Sequence, residues 1–375
     1  MNHGFSAFSP TAGQFRPTSR ANRLISVPAA TWVGRISYSL YLWHWPAFIF
    51  VTYLFGTLTV ARYWPLAVGG AIALGAASYY LVETPTRHVR WSTRTVLGAS
   101  SATLVILGAF FAFLGDPAHR RTAFPERVLA LDKARSPAIP FKACDGREDY
   151  CRIGAASAPP TYVLWGDSHA LAWAPAFDAL LTEQGRAAYL VVHSSCPPLV
   201  GMSAKRPESC RHSNEALLDF LARHPELEHV VMAARWGAAF GYDPWTLDGH
   251  LAAPVEGNAL QHTLQRLVGR HVIVLGPVPI YPDSVPLSLA LAELGFREPP
   301  SLGREDHLRS HRAFFDAVAG HLGPRQTMID PSDWLCRPTC TVQTDRLLYR
   351  DAEHLNVDGA LLWKAELAKA VLEAG

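Results

Sequence analysis

The chain has 375 residues, enough for two domains or one large one. Its 34 Lys and Arg against 32 Asp and Glu leave a net charge of +2. So balanced a chain carries no electrostatic footprint for a polyanion, and no nucleic-acid partner is expected.

Residues 1–30 contain Arg16, Arg20 and Arg23 but no compact apolar core with a cleavage site, so a cytoplasmic segment rather than a signal peptide is expected. Residues 37–58, 63–82 and 95–115 follow, each free of Asp, Glu, Lys and Arg and each long enough to span a bilayer. Three transmembrane helices are therefore expected within 31–115, in contact with lipid. Arg35 precedes the first span, and Arg87, Arg90 and Arg94 lie between the second and third, whereas only Arg62 joins the first to the second. Positive loops stay in the cytoplasm, so the N-terminus is expected inside and everything after about Asp116 outside. His44, in SYSLYLWHWP, is either a functional group within a span or part of an aromatic interface belt.

All six cysteines fall on the expected exterior: Cys144, Cys151, Cys196, Cys210, Cys336 and Cys340. An even set confined there suits disulfides, and proximity pairs them as 144–151, 196–210 and 336–340. The tight knuckles of a zinc site are missing, and no metal is expected.

Residues 116–160, rich in Pro, Ala and charge, read as an exterior linker. From 161 to 375 short apolar runs alternate with helical patterns: strands at 162–165, 188–192, 229–233, 271–275 and 327–329, helices at 171–181, 214–222, 259–268, 307–322 and 355–372. Such alternation predicts a three-layer α/β domain with a parallel sheet, whose sites form at the carboxyl ends of the strands.

Two segments carry chemistry. VLWGDSHA places Ser168 directly after the first strand, where a helix begins; RDAEHLN holds Asp351 and His354 three residues apart. A serine hydroxyl needs a base to take its proton, and a histidine oriented by a carboxylate is the usual one. Ser168 is expected as nucleophile, His354 as base and Asp351 as its partner, with Glu353 and Asp358 as rival carboxylates. An acyl enzyme also needs oxyanion donors. The Ser168 backbone N–H is one candidate, and Asp167, Ser195 and Trp236, in and near the loops His193–Pro198 and Ala234–Gly237, are the further expected binding residues.

GDSH at 166–169 and Asp351-x-x-His354-Leu355 resemble the first and last motif blocks of the SGNH (GDSL-like) hydrolase and acyltransferase superfamily. CPPL at 196–199 and ARW at 234–236 resemble the SGNH domains fused to membrane acyltransferases. GRISYSLYLWHWP at 34–46 and VETP at 82–85 are similar to the closing helices of acyltransferase family 3. The resemblance implies a bacterial O-acyltransferase. Its membrane part takes an acyl group, commonly acetyl, from a cytoplasmic donor such as acetyl-CoA, with no bound cofactor. Its periplasmic part places that group on a glycan hydroxyl in O-antigen, peptidoglycan or exopolysaccharide. The alternatives on the same three residues are a periplasmic carbohydrate esterase and an inactive remnant. The chain lacks the family's usual block glycine and asparagine and most of its membrane helices. The expectation is therefore a C-terminal part of a longer protein, served by a separate membrane acyltransferase subunit if active.

Overall fold

The computed structural model describes residues 27–57, 60–87, 91–135, 137–204, 206–244 and 256–373. Arg16, Arg20, Arg23 and Arg90, on which the expected orientation partly rests, lie outside the described residues, as does nearly all of the expected cytoplasmic segment. The chain forms two compact units, one of residues 1–55 and 59–109, the other of 56–58 and 110–375.

The first unit is helical. Helix α1 spans Pro28–Phe55, and α2 spans Val60–Ser78 and runs on through a wide π turn, Tyr79–Glu83, into Thr84–Arg87. They pack closely because Gly75 has no side chain: a Cβ there would meet Leu40 Cα at 3.0 Å. Two polar bonds tie them together, Ser39 Oγ to Glu83 Oε2 at 2.7 Å and Trp32 Nε1 to Tyr80 Oη at 3.0 Å. His44 is held by its own helix, Nδ1 lying 2.6 Å from the Tyr41 carbonyl. Helix α3, Thr93–Gly115, buries none of its residues. Two helical stretches, Arg62–Arg87 and Thr93–Gly115, are long and apolar enough to cross a membrane. The third expected span is helical in α1, but its Tyr, Trp, Ser and His residues leave it short of that apolarity.

The second unit is built on a six-stranded sheet: β1 Cys151–Gly154, β2 Pro160–Gly166, β3 Ala187–Val192, β4 His229–Ala233, β5 His271–Leu275 and β6 Gln326–Ile329, in the order β1-β3-β2-β4-β5-β6. Five strands run parallel, as expected. The sheet is nevertheless mixed, because β1 pairs antiparallel to β3, Cys151 opposite Leu190. Residues read as linker thus supply an edge strand. Four residues with an exposed Arg152 give too little alternation to mark it, and the Cys144–Cys151 disulfide anchors its start.

The inner strands are apolar without interruption because both faces are covered. Tyr162, Leu164, Val231, Ala233, Ile273 and Leu275 point into one core, and Val163, Trp165, Val230, Met232, Val272 and Val274 into the other. The principal helices are α4 Ser168–Glu183, α5 Glu208–Arg223, α6 Gly257–Arg266, α7 Val285–Glu293, α8 Arg304–Ser310, α9 Arg312–Ala319, α10 Val357–Leu362 and α11 Lys364–Glu373. After β2 the chain moves to β3 on one side, then back across to β4 on the other. The carboxyl end of β2 is thus the switch point of the sheet, where a crevice is expected.

Candidate active site

The site starts at Gly166, the last residue of β2, which pairs with Val192 of β3 and Ala233 of β4. A Cβ on Gly166 would lie 1.7 Å from the Ala233 carbonyl oxygen, so only glycine lets the two strands approach there. Asp167 caps α4, its carboxylate accepting the His169 backbone N–H at 2.8 Å. Its other oxygen accepts the Arg235 backbone N–H at 2.9 Å. Ser168 is thereby held in the first turn of α4, where N–H groups lack intrahelical partners and the helix dipole favours negative charge.

The second half arrives 186 residues later. After Tyr349 the chain makes a tight turn, closed by the Arg350 N–H on the His354 carbonyl at 3.1 Å. Asp351 Oδ1 accepts the backbone N–H groups of Glu353 (2.9 Å) and His354 (2.8 Å). Its Oδ2 lies 2.8 Å from His354 Nδ1, and His354 Nε2 lies 2.8 Å from Ser168 Oγ. Hydroxyl, imidazole and carboxylate therefore form one hydrogen-bonded row at the carboxyl edge of the sheet, as the sequence predicted.

The environment sets the charge on each group. Burial pushes the Asp351 carboxyl up, but the bond and charge of His354 and the two backbone N–H groups outweigh it and hold it well below the usual carboxylate range. Burial also pushes the His354 imidazole below its ordinary value, only partly offset by Asp351. The row thus rests with an ionised carboxylate and a neutral base.

The other expected binding residues take different places. Asp167 is buried, and both its oxygens accept backbone N–H groups. It aligns α4 and the loop after β4 and has no donor for an oxyanion. Burial raises its carboxyl. Trp236 is fully buried, stacked on Phe314, with Nε1 donating to the Leu275 carbonyl at 2.7 Å and its backbone N–H to Ala234. Both its donors are committed, so it is a packing residue rather than an oxyanion contact. Ser195 is exposed after β3 with φ of 64°, a left-handed conformation uncommon outside glycine. The neighbouring Ser194 bonds Asp145 through N–H (2.8 Å) and Oγ (2.6 Å). The Cys196–Cys210 disulfide and Asn214, which donates to the Pro197 and Leu199 carbonyls, fix the rest of that loop. All three disulfides pair as proximity predicted, which marks an oxidising compartment for this unit.

Three further residues meet at the site in roles the sequence did not assign: Glu353, read only as a rival carboxylate to Asp351, and His169 and Arg235, given no role. His169 is buried, its ring centroid 4.7 Å from that of His354. Glu353 Oε2 sits 2.7 Å from Arg235 Nε and 3.9 Å from His169 Nε2. Burial opposes ionisation of Glu353, but His169 and Arg235 prevail and hold its carboxyl below its ordinary value. Glu353 and His169 are each adjacent to a residue of the row, in RDAEHLN and GDSH. That adjacency was the available signal, but a tight turn, unlike a helix, lets neighbouring side chains face the same centre.

A sheet-edge serine row of this kind defines the class of serine-dependent hydrolases and acyltransferases. Residues 134–369, well over half of the chain, match the model of the SGNH domain (fused to AT3 domains), and the chain belongs to that family. The match begins after the segments at 34–46 and 82–85. Among solved structures, the periplasmic domain of a lipopolysaccharide acetyltransferase from Salmonella ser. Paratyphi A is similar at 16% identity. The similarity covers 58% of this chain and 86% of that one, with a TM-score of 0.45. No curated protein matches the chain.

Proposed function

We propose that this chain is a membrane-anchored O-acyltransferase, moving an acetyl group onto a hydroxyl of a cell-surface glycan through an acyl-serine. The observation that carries the reading is the unbroken row from Ser168 Oγ through His354 to Asp351, at 2.8 Å each. In the first half-reaction Ser168 Oγ attacks the donor's acyl carbonyl while His354 Nε2 takes the hydroxyl proton. Asp351 stabilises the imidazolium, and the proton then passes to the leaving group as the donor bond breaks. In the second, His354 removes the proton of a sugar hydroxyl, which attacks the acyl-Ser168 carbonyl. The ester to Ser168 breaks, the proton returns to Oγ, and the glycan leaves as an ester.

The Ser168 backbone N–H at the start of α4 is one oxyanion donor. Ser195, in the left-handed turn after β3, is the second donor in this reading. The apolar stretches Arg62–Arg87 and Thr93–Gly115 anchor the chain in the bilayer, with the disulfide-bonded unit outside. The acyl group derives from acetyl-CoA or a similar cytoplasmic donor and arrives through a membrane acyltransferase partner.

The test uses the purified full chain, an activated acetyl ester and an added surface oligosaccharide, read by mass spectrometry. The expected result is an acetyl adduct on Ser168 and an acetylated oligosaccharide, both lost in Ser168→Ala. Release of acetate alone, with the oligosaccharide unmodified, replaces transfer by ester hydrolysis. Absence of any Ser168 adduct refutes the acyl-enzyme.

A further inference from the structure

Beside the row lies a cluster of donors that shares His354 with it and adds two side chains, His169 and Glu353, that the proposed reaction does not use. His169, Glu353 and His354 each offer one ligand atom, and the three atoms lie within 4.8 Å of one another. His169 is only 3% exposed, and its Nε2 has no hydrogen-bond partner. An orphaned buried imidazole nitrogen is costly, and such groups are normally matched by water, a protein atom or a ligand. It faces Glu353 Oε2 at 3.9 Å, too long for a hydrogen bond and suited to an atom between them.

We propose that His169, Glu353 and His354 form an inhibitory site for a borderline divalent cation, zinc being the fitting case. The proposal rests on the reading of Ser168 and His354 as nucleophile and base. Two imidazoles and one carboxylate are a donor set that zinc takes at about 2.0–2.2 Å, with a fourth position left for water. Tetrahedral geometry then requires donors roughly 3.3–3.5 Å apart, so the side chains close by about 1 Å around the ion. The lone pair on His354 Nε2 is the one that accepts the Ser168 proton. It serves either the ion or the hydroxyl, so binding silences the row without touching Asp351.

Arg235 limits the affinity. Its Nε lies 2.7 Å from the same Glu353 oxygen, so the ion must displace a guanidinium and then sit beside it. The result is a reversible, regulatory site rather than a structural one.

The experiment titrates the detergent-solubilised full chain with Co2+, read by its tetrahedral visible absorption, and competes with Zn2+. Hydrolysis of an activated acetyl ester is followed in parallel, and circular dichroism confirms the fold of each variant. Cobalt bands are expected that Zn2+ erases, with esterase activity falling as Zn2+ binds and returning with chelator. His169→Gln and the near-isosteric Glu353→Gln each weaken binding at least about tenfold, and Arg235→Gln, which removes the rival cation, tightens it. Ser168→Ala keeps the bands and loses the activity. Absent bands, or bands of undiminished affinity in folded His169→Gln and Glu353→Gln, overturn the site. Ser168-dependent activity without cobalt binding refutes the metal site alone. Activity that persists in Ser168→Ala while the bands stand refutes the nucleophile and leaves the metal site in place.

Discussion

Asp351→Asn is the sharpest probe of the site, because the structure dictates how the amide must sit. Oδ1 of Asp351 accepts two backbone N–H groups, from Glu353 and His354, while Oδ2 faces His354 Nδ1 at 2.8 Å. An asparagine has one acceptor oxygen. Turning its NH2 toward the two backbone donors would set three donors against each other, so the oxygen stays there and the NH2 points at His354. Nδ1 must then accept, which moves the ring proton to Nε2, the atom 2.8 Å from Ser168 Oγ. The base loses its lone pair while the turn keeps both backbone bonds. Wrong-tautomer substitutions of this type cost about 10⁴-fold in turnover, roughly 5.4 kcal/mol of barrier. The fold is expected to lose about 1–3 kcal/mol, since the bond to His354 is exchanged and the Arg350 Nε contact to the same oxygen, at 3.4 Å, is lost. The assay is steady-state hydrolysis of an activated acetyl ester beside a thermal melt. A folded Asp351→Asn enzyme within tenfold of the parent would show that His354 is not the base oriented by Asp351.

His307 and His311 are buried, their ring centroids 4.7 Å apart, and burial lowers them to about 4 and about 3. An unfolded chain binds protons at both from near 6.5 downward while the native state does not, so stability falls as pH drops through that window. Between pH 7 and pH 5.5 the loss from the pair is about 2.5 kcal/mol, checked by denaturant titration, and His311→Phe should remove about half of the slope. Trp236→Phe keeps the stack on Phe314 but orphans the Leu275 carbonyl. It is expected to cost about 1–2 kcal/mol of stability and to leave kcat near that of the parent, whereas a true oxyanion donor would cost ~10²–10³ in kcat. Gly166→Ala forces a methyl to 1.7 Å from the Ala233 oxygen and should destabilise by at least about 3 kcal/mol in a melt; a parent-like melting temperature would mean β2 and β4 do not meet there.

The five parallel strands were legible because each is a short uninterrupted apolar run, the mark of a sheet covered on both faces. The triad was legible for a different reason: GDSH and DxxH are local motifs, and each keeps its geometry through its own cap or turn. What escaped was set by long-range pairing. Four residues at 151–154 become a strand only because β3 offers an open edge. Trp236 looked like a binding residue from its neighbours in ARW, but its partner, the Leu275 carbonyl, lies on a strand about 40 residues away. The alignment of Glu353 with Arg235 and His169 depends on a tight turn, the loop after β4 and the first turn of α4, three separate elements whose meeting no periodicity encodes. In the first unit the apolar runs read directly as helices, while the bonds between Ser39 and Glu83 and between Trp32 and Tyr80 were not predictable from them.

The disulfide at the head of β1 has a bearing on how this protein would fail. β1 shields the outer margin of β3, and it does so with only four residues and a cross-link in place of a long strand. Under reducing conditions that flap has little to hold it, and a row of unpaired main-chain groups on β3 becomes available to a neighbouring molecule. Clumping would precede loss of the serine row itself, which lies on the other side of β3; the Ser195 turn, tied through Ser194 to Asp145 beside that bridge, is the part of the site the loss would reach.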